Sequence, residues 1–450
     1  MLVIEEASLP CVVLVWCAPF HKRCVLVMSK ELIDELSWRG LIAQSSDLDV
    51  LSHHLNEPRT LYCGFDPTAD SLHIGSLVPL LTLRRFQQLG HRPILLLGGA
   101  TGLIGDPSFR DDERALNSEE VVAGWIESLR RQVQPFLSFE GENSAVIANN
   151  LDWTQDMGVI PFLRDIGKHF SVNSMIQRDS VKNRLERTDQ GISYTEFSYM
   201  LLQSMDYLEL ARRHDCTLQI GGSDQWGNIV SGVDLVRRHM AKDVYALTLP
   251  LVAKTDGSKF GKTAAGAVWL DARKTSPYTF YQFWLNAADA DVENFLKLFT
   301  FLSPADVDGL LAAMREAPQD RAAQRRLAQE VTRIVHGQDQ VESAERITGA
   351  LFGGDLDTLT EDDFVQLRFD GLDATECAPG EGLLSVMAAA DLAKSVGEAR
   401  KLVQGGGVRI NGQQVEDHTT EIDFAQAFYG RYLLLRRGRK VHHLLVRKDA

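Results

Sequence analysis

The sequence predicts an α/β protein whose core is a doubly wound parallel sheet, followed by a helical unit and a tail of different composition. Three observations carry this. Five short apolar runs, at 60–63, 93–97, 145–148, 217–220 and 244–249, alternate with helical patterns at 75–89, 118–137, 195–213 and 227–240. Strands separated by helices indicate parallel crossover connections. From Ser276 to about Gly353 the pattern is almost wholly helical, including 277–285, 292–301 and an amphipathic stretch at 320–336. Finally, residues 381–450 carry a net charge of +3 against −17 for the remainder, which marks the tail as a separate module.

Taken in order, the chain divides into five parts. Residues 1–27 contain an apolar stretch, Leu9 to Phe20, too short to span a bilayer and preceded by Glu5 and Glu6 where a signal peptide carries basic residues. Residues 28–36 read as an ordinary opening helix, so 1–27 are expected to be a non-native or poorly packed extension arising from an upstream start codon. Residues 28–275 hold the parallel sheet, 276–353 the helical unit, 354–380 an acidic, Gly- and Pro-containing linker with some short structure, and 381–450 the basic module.

With 450 residues, two to four folding units are expected. A content of 44% apolar and 24% charged residues is that of a soluble globular chain, and the net charge of −14 argues against nucleic-acid binding over the whole surface while leaving room for a local basic patch. Six cysteines without a C-x-x-C pair make a zinc ribbon or disulfide framework an unfavourable reading. A reducing, cytoplasmic setting is the expectation.

Two motifs carry chemistry. The run Leu61 to Phe65 breaks at Asp66 and Pro67, and a helix begins after His73-Ile74-Gly75-Ser76. A helix start offers free N–H groups and partial positive charge, so a glycine there lets a nucleotide approach while the imidazole reaches its phosphates. Taken alone, His73 is more often an ordinary polar residue at a helix start. The second motif, Lys259-Phe260-Gly261-Lys262-Thr263, puts two lysines three apart in a Gly-containing loop, which suits a polyphosphate and equally a basic surface turn. A P-loop needs four residues between its glycines, whereas Gly257 and Gly261 are separated by three. In doubly wound sheets ligands lie beyond the carboxyl ends of the strands, and the turns carrying Asp66, Thr101, Asp106 and Gly221 to Gln225 all follow strands. The candidate residues are therefore expected along one sheet edge.

These blocks, with Gly98 to Pro107, with Tyr199, Gln203 and Asp206, and with Gly221 to Asn228, resemble the bacterial tyrosyl-tRNA synthetases of class I from about residue 28 to the end. His73 to Ser76 resembles their HIGH signature and Lys259 to Thr263 their KMSKS signature. The resemblance implies a Rossmann-like catalytic domain that forms tyrosyl-adenylate from tyrosine and ATP and transfers the tyrosyl group to tRNA(Tyr). By resemblance, Tyr62 and Asp206 meet the phenol, while Tyr199, Gln203 and Gln225 hold the amino and carboxylate groups, with Thr101 and Asp106 lining the pocket. Thr68, His73, Lys259, Lys262 and Thr263 act at the phosphates. Cys63, Gly64, Asp66, Gly75, Ser76, Gly222 and Asp224 hold ribose and adenine, and Arg110 and Arg114 close over pyrophosphate.

Magnesium is expected to arrive with ATP, no bound metal or organic cofactor is expected, and the family implies a homodimer. Ser76 departs from the signature, which ends in histidine; its hydroxyl can still donate to a nucleotide. Retained activity with altered ATP handling is expected. The tail resembles a small α+β RNA-binding domain shared with a ribosomal protein, and implies a tRNA-phosphate patch of Arg400, Lys401, Arg409, Arg436 and Arg437, with Arg439 and Lys440. Two other readings share these motifs: a tryptophanyl-tRNA synthetase, which has no evident use for the Tyr62 and Asp206 pair, and a non-catalytic RNA-binding paralogue.

Overall fold

The computed structural model describes residues 21–108, 116–185, 191–257, 260–263 and 266–448. Strands β1 (Gln44–Ser45), β2 (Thr60–Phe65), β3 (Arg92–Leu97), β4 (Val146–Asn149), β5 (Cys216–Gly222) and β6 (Tyr245–Leu249) form one sheet in the order β1-β6-β5-β2-β3-β4. All neighbours are parallel except β1, a two-residue antiparallel edge on β6. The order runs outward from β2 to β4 on one side and from β5 to β6 on the other. The switch point therefore lies between β2 and β5, where the connections leave in opposite directions and open a crevice at the carboxyl ends.

Both faces of this sheet are covered, which is why its strands read as near-continuous apolar runs. Alternate residues point to opposite sides: Leu61, Cys63, Phe65, Leu95 and Leu97 join one core with the helix Leu77–Gln88. Tyr62, Ile94 and Leu96 join the other, with the helices Tyr194–His214 and Trp226–Met240. The Tyr194–His214 helix starts at Ser193, whose hydroxyl accepts the Glu196 N–H, and ends at Asp215 in the left-handed region at φ 52°. The expected extension 1–27 lies outside the described residues up to 20; the backbone of 21–27 forms the start of a helix, His21–Trp38.

The helical unit comprises Pro277–Leu285, Asp289–Phe299, Pro304–Glu316, Ala322–His336 and Gln338–Leu351. Ahead of it, β7 (Lys262–Thr263) and β8 (Gly266–Ala267) make a small hairpin. Phe260 anchors this hairpin by inserting among Trp284, Phe295 and Phe299, with ring centroids 5.9, 5.2 and 5.3 Å away. The strand-like run that follows lies antiparallel to 72–74. Ile74 N–H donates to the Val268 carbonyl at 3.0 Å, and Leu270 N–H donates to the Leu72 carbonyl at 2.8 Å.

A second sheet, in the order β11-β10-β12-β13-β9, contains β9 (Ala374–Cys377), β10 (Val408–Ile410), β11 (Gln413–Gln414), β12 (Tyr432–Arg437) and β13 (Val441–Arg447). Its two faces serve different partners: Leu433, Leu435 and Leu445 pack on the helices Leu383–Ala389 and Val396–Gln404. Tyr432, Leu434, Leu444 and Val446 instead continue the core of the helical unit. The stretch 354–380, expected as a linker, is built into this junction. It holds the helix Glu361–Gln366 and strand β9, parallel to β13. Phe364, fully buried, lies 5.1 Å from the rings of both Phe428 and Tyr432. Acidic residues facing solvent and turn residues at the ends masked this order in the sequence. Truncation by Phe364→Ala is expected to weaken the junction by about 3 to 5 kcal/mol, read as an earlier urea transition of the full chain.

Candidate active site

The loop after β2 reaches His73 through a turn that the helix Glu119–Val133 holds in place. Gln132 accepts the Leu72 N–H at 3.0 Å and donates to the Asp70 carbonyl at 3.1 Å. The His73 ring folds back so that Nδ1 accepts the Gly75 N–H at 3.0 Å, which leaves Nε2 to carry the proton of the neutral ring. The residue is exposed to the crevice, yet enough protein surrounds the ring for desolvation to hold its pKa below the usual value. The folded-back pose requires glycine at 75: a Cβ there would stand 2.7 Å from His73 Cε1. Ser76 is half-buried beside it, and its hydroxyl makes no cap bond to the following helix.

Deeper in the crevice two carboxylates are held by neutral donors. Asp66, at the end of β2, accepts the Tyr199 hydroxyl and the Thr101 hydroxyl, each at 2.6 Å. A side chain at Gly98 would collide with the Asp66 carboxylate, so the loop after β3 can approach only as glycine. Asp206 accepts the Asn150 amide at 3.0 Å and the Trp153 indole N–H at 2.9 Å. Asn150 also donates to Thr101 at 2.9 Å, which joins the two carboxylates into one network. Burial raises the pKa of Asp206 to about 7 in spite of these bonds and drives the Tyr62 and Tyr199 phenols well above their ordinary values.

Toward the outer end, Gln225 donates to Asp106 at 2.6 Å and to Asp224 at 3.3 Å. Burial raises the pKa of Asp224 and pushes the Cys63 thiol up to about 12. Cys63 is therefore a neutral thiol at physiological pH. A cavity of about 280 Å³ joins His73, both carboxylates, Asn150 and the Asp106–Gln225–Asp224 group, and its walls include Gly64, Thr68, Gly75, Gln203 and Gly222. The Tyr62 hydroxyl and the Gln203 and Gln219 side-chain carbonyls are buried with no hydrogen-bond partner among the described residues. Such orphaned groups at the bottom of a slot are costly unless a ligand meets them.

Every inner residue expected from the sequence thus reaches one cavity. Arg110, Arg114 and Lys259 lie outside the described residues, and of Lys262 and Thr263 only the backbone of β7 is described. Sequence reasoning missed Asn150, Trp153 and Gln219. Gln219 had a readable signal, a polar residue inside an apolar strand, and Asn150 another, a polar residue just past the end of β4. In the tail, Arg409 and Arg436 are register partners on one face, while Arg437 lies on the other and donates to the Leu392 carbonyl at 2.6 Å. Arg400 and Lys401 are exposed on the helix Val396–Gln404. The five residues expected as one patch are thus divided between faces, because neighbours along a strand point oppositely.

The family model described as tRNA synthetases class I (W and Y) matches residues 54–353. The chain is a member of this class. A second model, the tyrosine–tRNA ligase SYY-like C-terminal domain, matches residues 363–445. Tyrosine–tRNA ligases of Chromobacterium violaceum and Laribacter hongkongensis are each 56% identical to this chain, over 92% and 93% of it and 98% and 99% of their own lengths. Among solved structures, a C-terminally truncated mitochondrial tyrosyl-tRNA synthetase of Aspergillus nidulans aligns with a TM-score of 0.67 at 30% identity, covering 74% of this chain and 99% of that one. A tryptophanyl-tRNA synthetase of Encephalitozoon cuniculi, with a TM-score of 0.52 at 14% identity over 77% of this chain and 95% of that one, shares the fold. Within the class, this chain belongs to the tyrosine–tRNA ligase family.

The Gly75→Ala variant should force the His73 ring out of its pose. Tyrosine-dependent pyrophosphate exchange is expected to fall about tenfold or more, at unchanged tyrosine affinity measured by calorimetry.

Proposed function

We propose that this chain joins tyrosine to tRNA(Tyr) in two steps, with the phenol of the substrate received by Tyr62 and Asp206. The observation that carries this reading is the Tyr62 hydroxyl, 1% exposed and unpartnered among the described residues, in a slot that also presents Asp206. A phenol brings one donor and one acceptor to that place, whereas phenylalanine leaves buried polar groups unpaired. Tyrosine-activating enzymes are themselves the reference case for this form of discrimination. Tyr199, Gln203 and Gln225 then face the amino and carboxylate groups, with Thr101 and Asp106 behind them. Asp66, expected at the nucleotide, is bonded to Tyr199 and Thr101, so we assign it to orienting the amino-group site as well.

In the first step a tyrosine carboxylate oxygen attacks the α-phosphate of ATP and pyrophosphate leaves; no protein nucleophile is needed. The neutral His73 donates from Nε2 to developing phosphate charge, and Thr68, Lys262, Thr263 and Lys259 stabilise the same charge. Arg110 and Arg114 are assigned to the departing pyrophosphate. Cys63, Gly64, Gly75, Ser76, Gly222 and Asp224 meet ribose and adenine. Magnesium enters as part of the ATP substrate. In the second step a ribose hydroxyl of the tRNA terminus attacks the adenylate carbonyl and AMP leaves. Phosphates of the tRNA meet Arg400 and Lys401 on the helix Val396–Gln404, on the side of the sheet that Arg437 shares, while Arg409 and Arg436 offer their charge on the opposite face.

A homodimer is the assembly we infer. Val159, Ile160, Leu163, Val172 and Tyr194 are between 48% and 70% exposed. They flank a small core in which Phe162, Phe170 and Phe197 pack with Met175 and Met200. A cluster of large apolar side chains left at the surface is characteristic of a subunit contact. The cytoplasm, where ATP and tRNA meet under reducing conditions, is the compartment we assign.

Pyrophosphate exchange assayed with tyrosine, tryptophan and no amino acid tests the reaction: dependence on tyrosine alone supports it, and equal response to tryptophan overturns it. Burial favours the neutral form of Asp206, so its contribution to stability is complete below pH 3.8 and is lost as pH rises through about 7. A phenol donor prefers the carboxylate, so tyrosine affinity should rise several-fold between pH 6 and 8 by calorimetry, roughly following this ionisation, and Asp206→Asn should flatten that profile. Ile160→Asp should shift the protein to a monomer in analytical ultracentrifugation at micromolar concentration.

A further inference from the structure

Far from the cavity, three charged side chains meet where the helix His21–Trp38 and the helix Leu77–Gln88 touch the end of Asp289–Phe299. Arg39 is 3% exposed and Arg85 is 1% exposed. Arg39 donates to the carbonyls of Lys297, Thr300 and Leu302 at 2.9, 3.0 and 2.9 Å. Arg85 donates to the same Thr300 carbonyl at 2.6 Å and stands over the Phe301 ring at 4.6 Å. The carboxylate that faces both is Glu35: its Oε1 is 2.8 Å from Arg39 Nε and 3.5 Å from Arg85 Nε. The Nε and Nη1 groups of Arg85 have no hydrogen-bond partner among the described residues. Two buried cations thus depend on one carboxylate and on the carbonyls of a helix end, whose dipole favours positive charge.

The placement gives the cluster a task. Arg85 projects from the helix that starts just after His73. The helix it is pinned to, Asp289–Phe299, carries Phe295 and Phe299, which grip Phe260 beside the lysine-bearing hairpin. One helix end therefore receives both signature segments, the first through Arg85 and the second through Phe260. We propose that Glu35 is a positioning residue for tyrosine activation: by neutralising the Arg39–Arg85 pair it fixes how far His73 stands from the segment that Phe260 anchors, across the phosphates of ATP. Tyrosine, bound on the other side of the sheet edge by Tyr62, Tyr199 and Asp206, does not depend on this spacing. The proposal rests on reading His73 as a phosphate contact.

The test is a double-mutant cycle on the full-length chain, with Glu35→Gln, His73→Ala and the double variant assayed for pyrophosphate exchange at varied ATP, beside calorimetric tyrosine binding without ATP. Glu35→Gln should slow exchange about tenfold and leave the tyrosine Kd within about twofold, and in the His73→Ala background the same change should cost much less. Independent, multiplicative losses would overturn the proposal, as would an equal loss of tyrosine affinity. If His73→Ala alone leaves exchange unchanged, the reading of His73 fails and takes the proposal with it. If instead His73→Ala is slow and Glu35→Gln is not, the proposal alone fails. Should Glu35→Gln not fold, Glu35→Asp, which keeps the charge on a shorter arm, enters the same cycle with the same expected non-additivity.

Discussion

Holding two carboxylates, a buried Asp206 and a half-buried Asp66, at the carboxyl edge of a parallel sheet is the constraint from which the site follows. Desolvation disfavours the charged form of Asp206, and both carboxylates are met by donors that come from different parts of the chain: Tyr199 and Thr101 for Asp66, Asn150 and Trp153 for Asp206. Asn150 bonds both Thr101 and Asp206, so strand ends distant in sequence are held in one hydrogen-bonded frame. A frame satisfied in this way is stiff, and what it leaves unsatisfied, above all the Tyr62 hydroxyl, defines what a ligand must bring.

The nucleotide end is built by a different principle. Its two signature segments lie almost two hundred residues apart and are brought together by backbone pairing between 72–74 and 268–270. Side chains then set the fine position: the folded-back imidazole on Gly75, Gln132 under the preceding turn, and Phe260 in its aromatic socket. Positioning, rather than a protein nucleophile, is what this chemistry asks of the enzyme. The helical unit, which touches no substrate in this reading, takes part because it carries the socket.

Much of this was legible in the sequence. The strands of the main sheet read clearly, because burial on both faces makes them apolar throughout, and the order of strand ends and turns placed Asp66, Thr101, Asp106 and Gln225 on one edge. The assignment of Tyr62 to the slot came from resemblance alone, since an aromatic in a strand is ordinarily core. Asn150, Trp153 and Gln219 escaped because a lone polar residue acquires meaning only when register sets it beside another: Gln219 is the direct partner of Tyr62 across β5 and β2. The split of Arg436 from Arg437 escaped for the reason that strand alternation is visible only once the strand is known. The order within 354–380 was hidden because its core contribution rests on few, scattered residues, Leu359, Phe364, Leu367 and Cys377.

The central claim is that the unpartnered Tyr62 hydroxyl and the raised-pKa Asp206 carboxyl together receive the substrate phenol. A crystal structure of the enzyme with tyrosine bound tests it most directly. The account predicts the phenolic oxygen within about 2.6 to 3.2 Å of both Tyr62 Oη and an Asp206 oxygen, with Asn150 and Trp153 still holding the carboxylate. A bound tyrosine whose hydroxyl points elsewhere, leaving Tyr62 Oη without a partner, would contradict it.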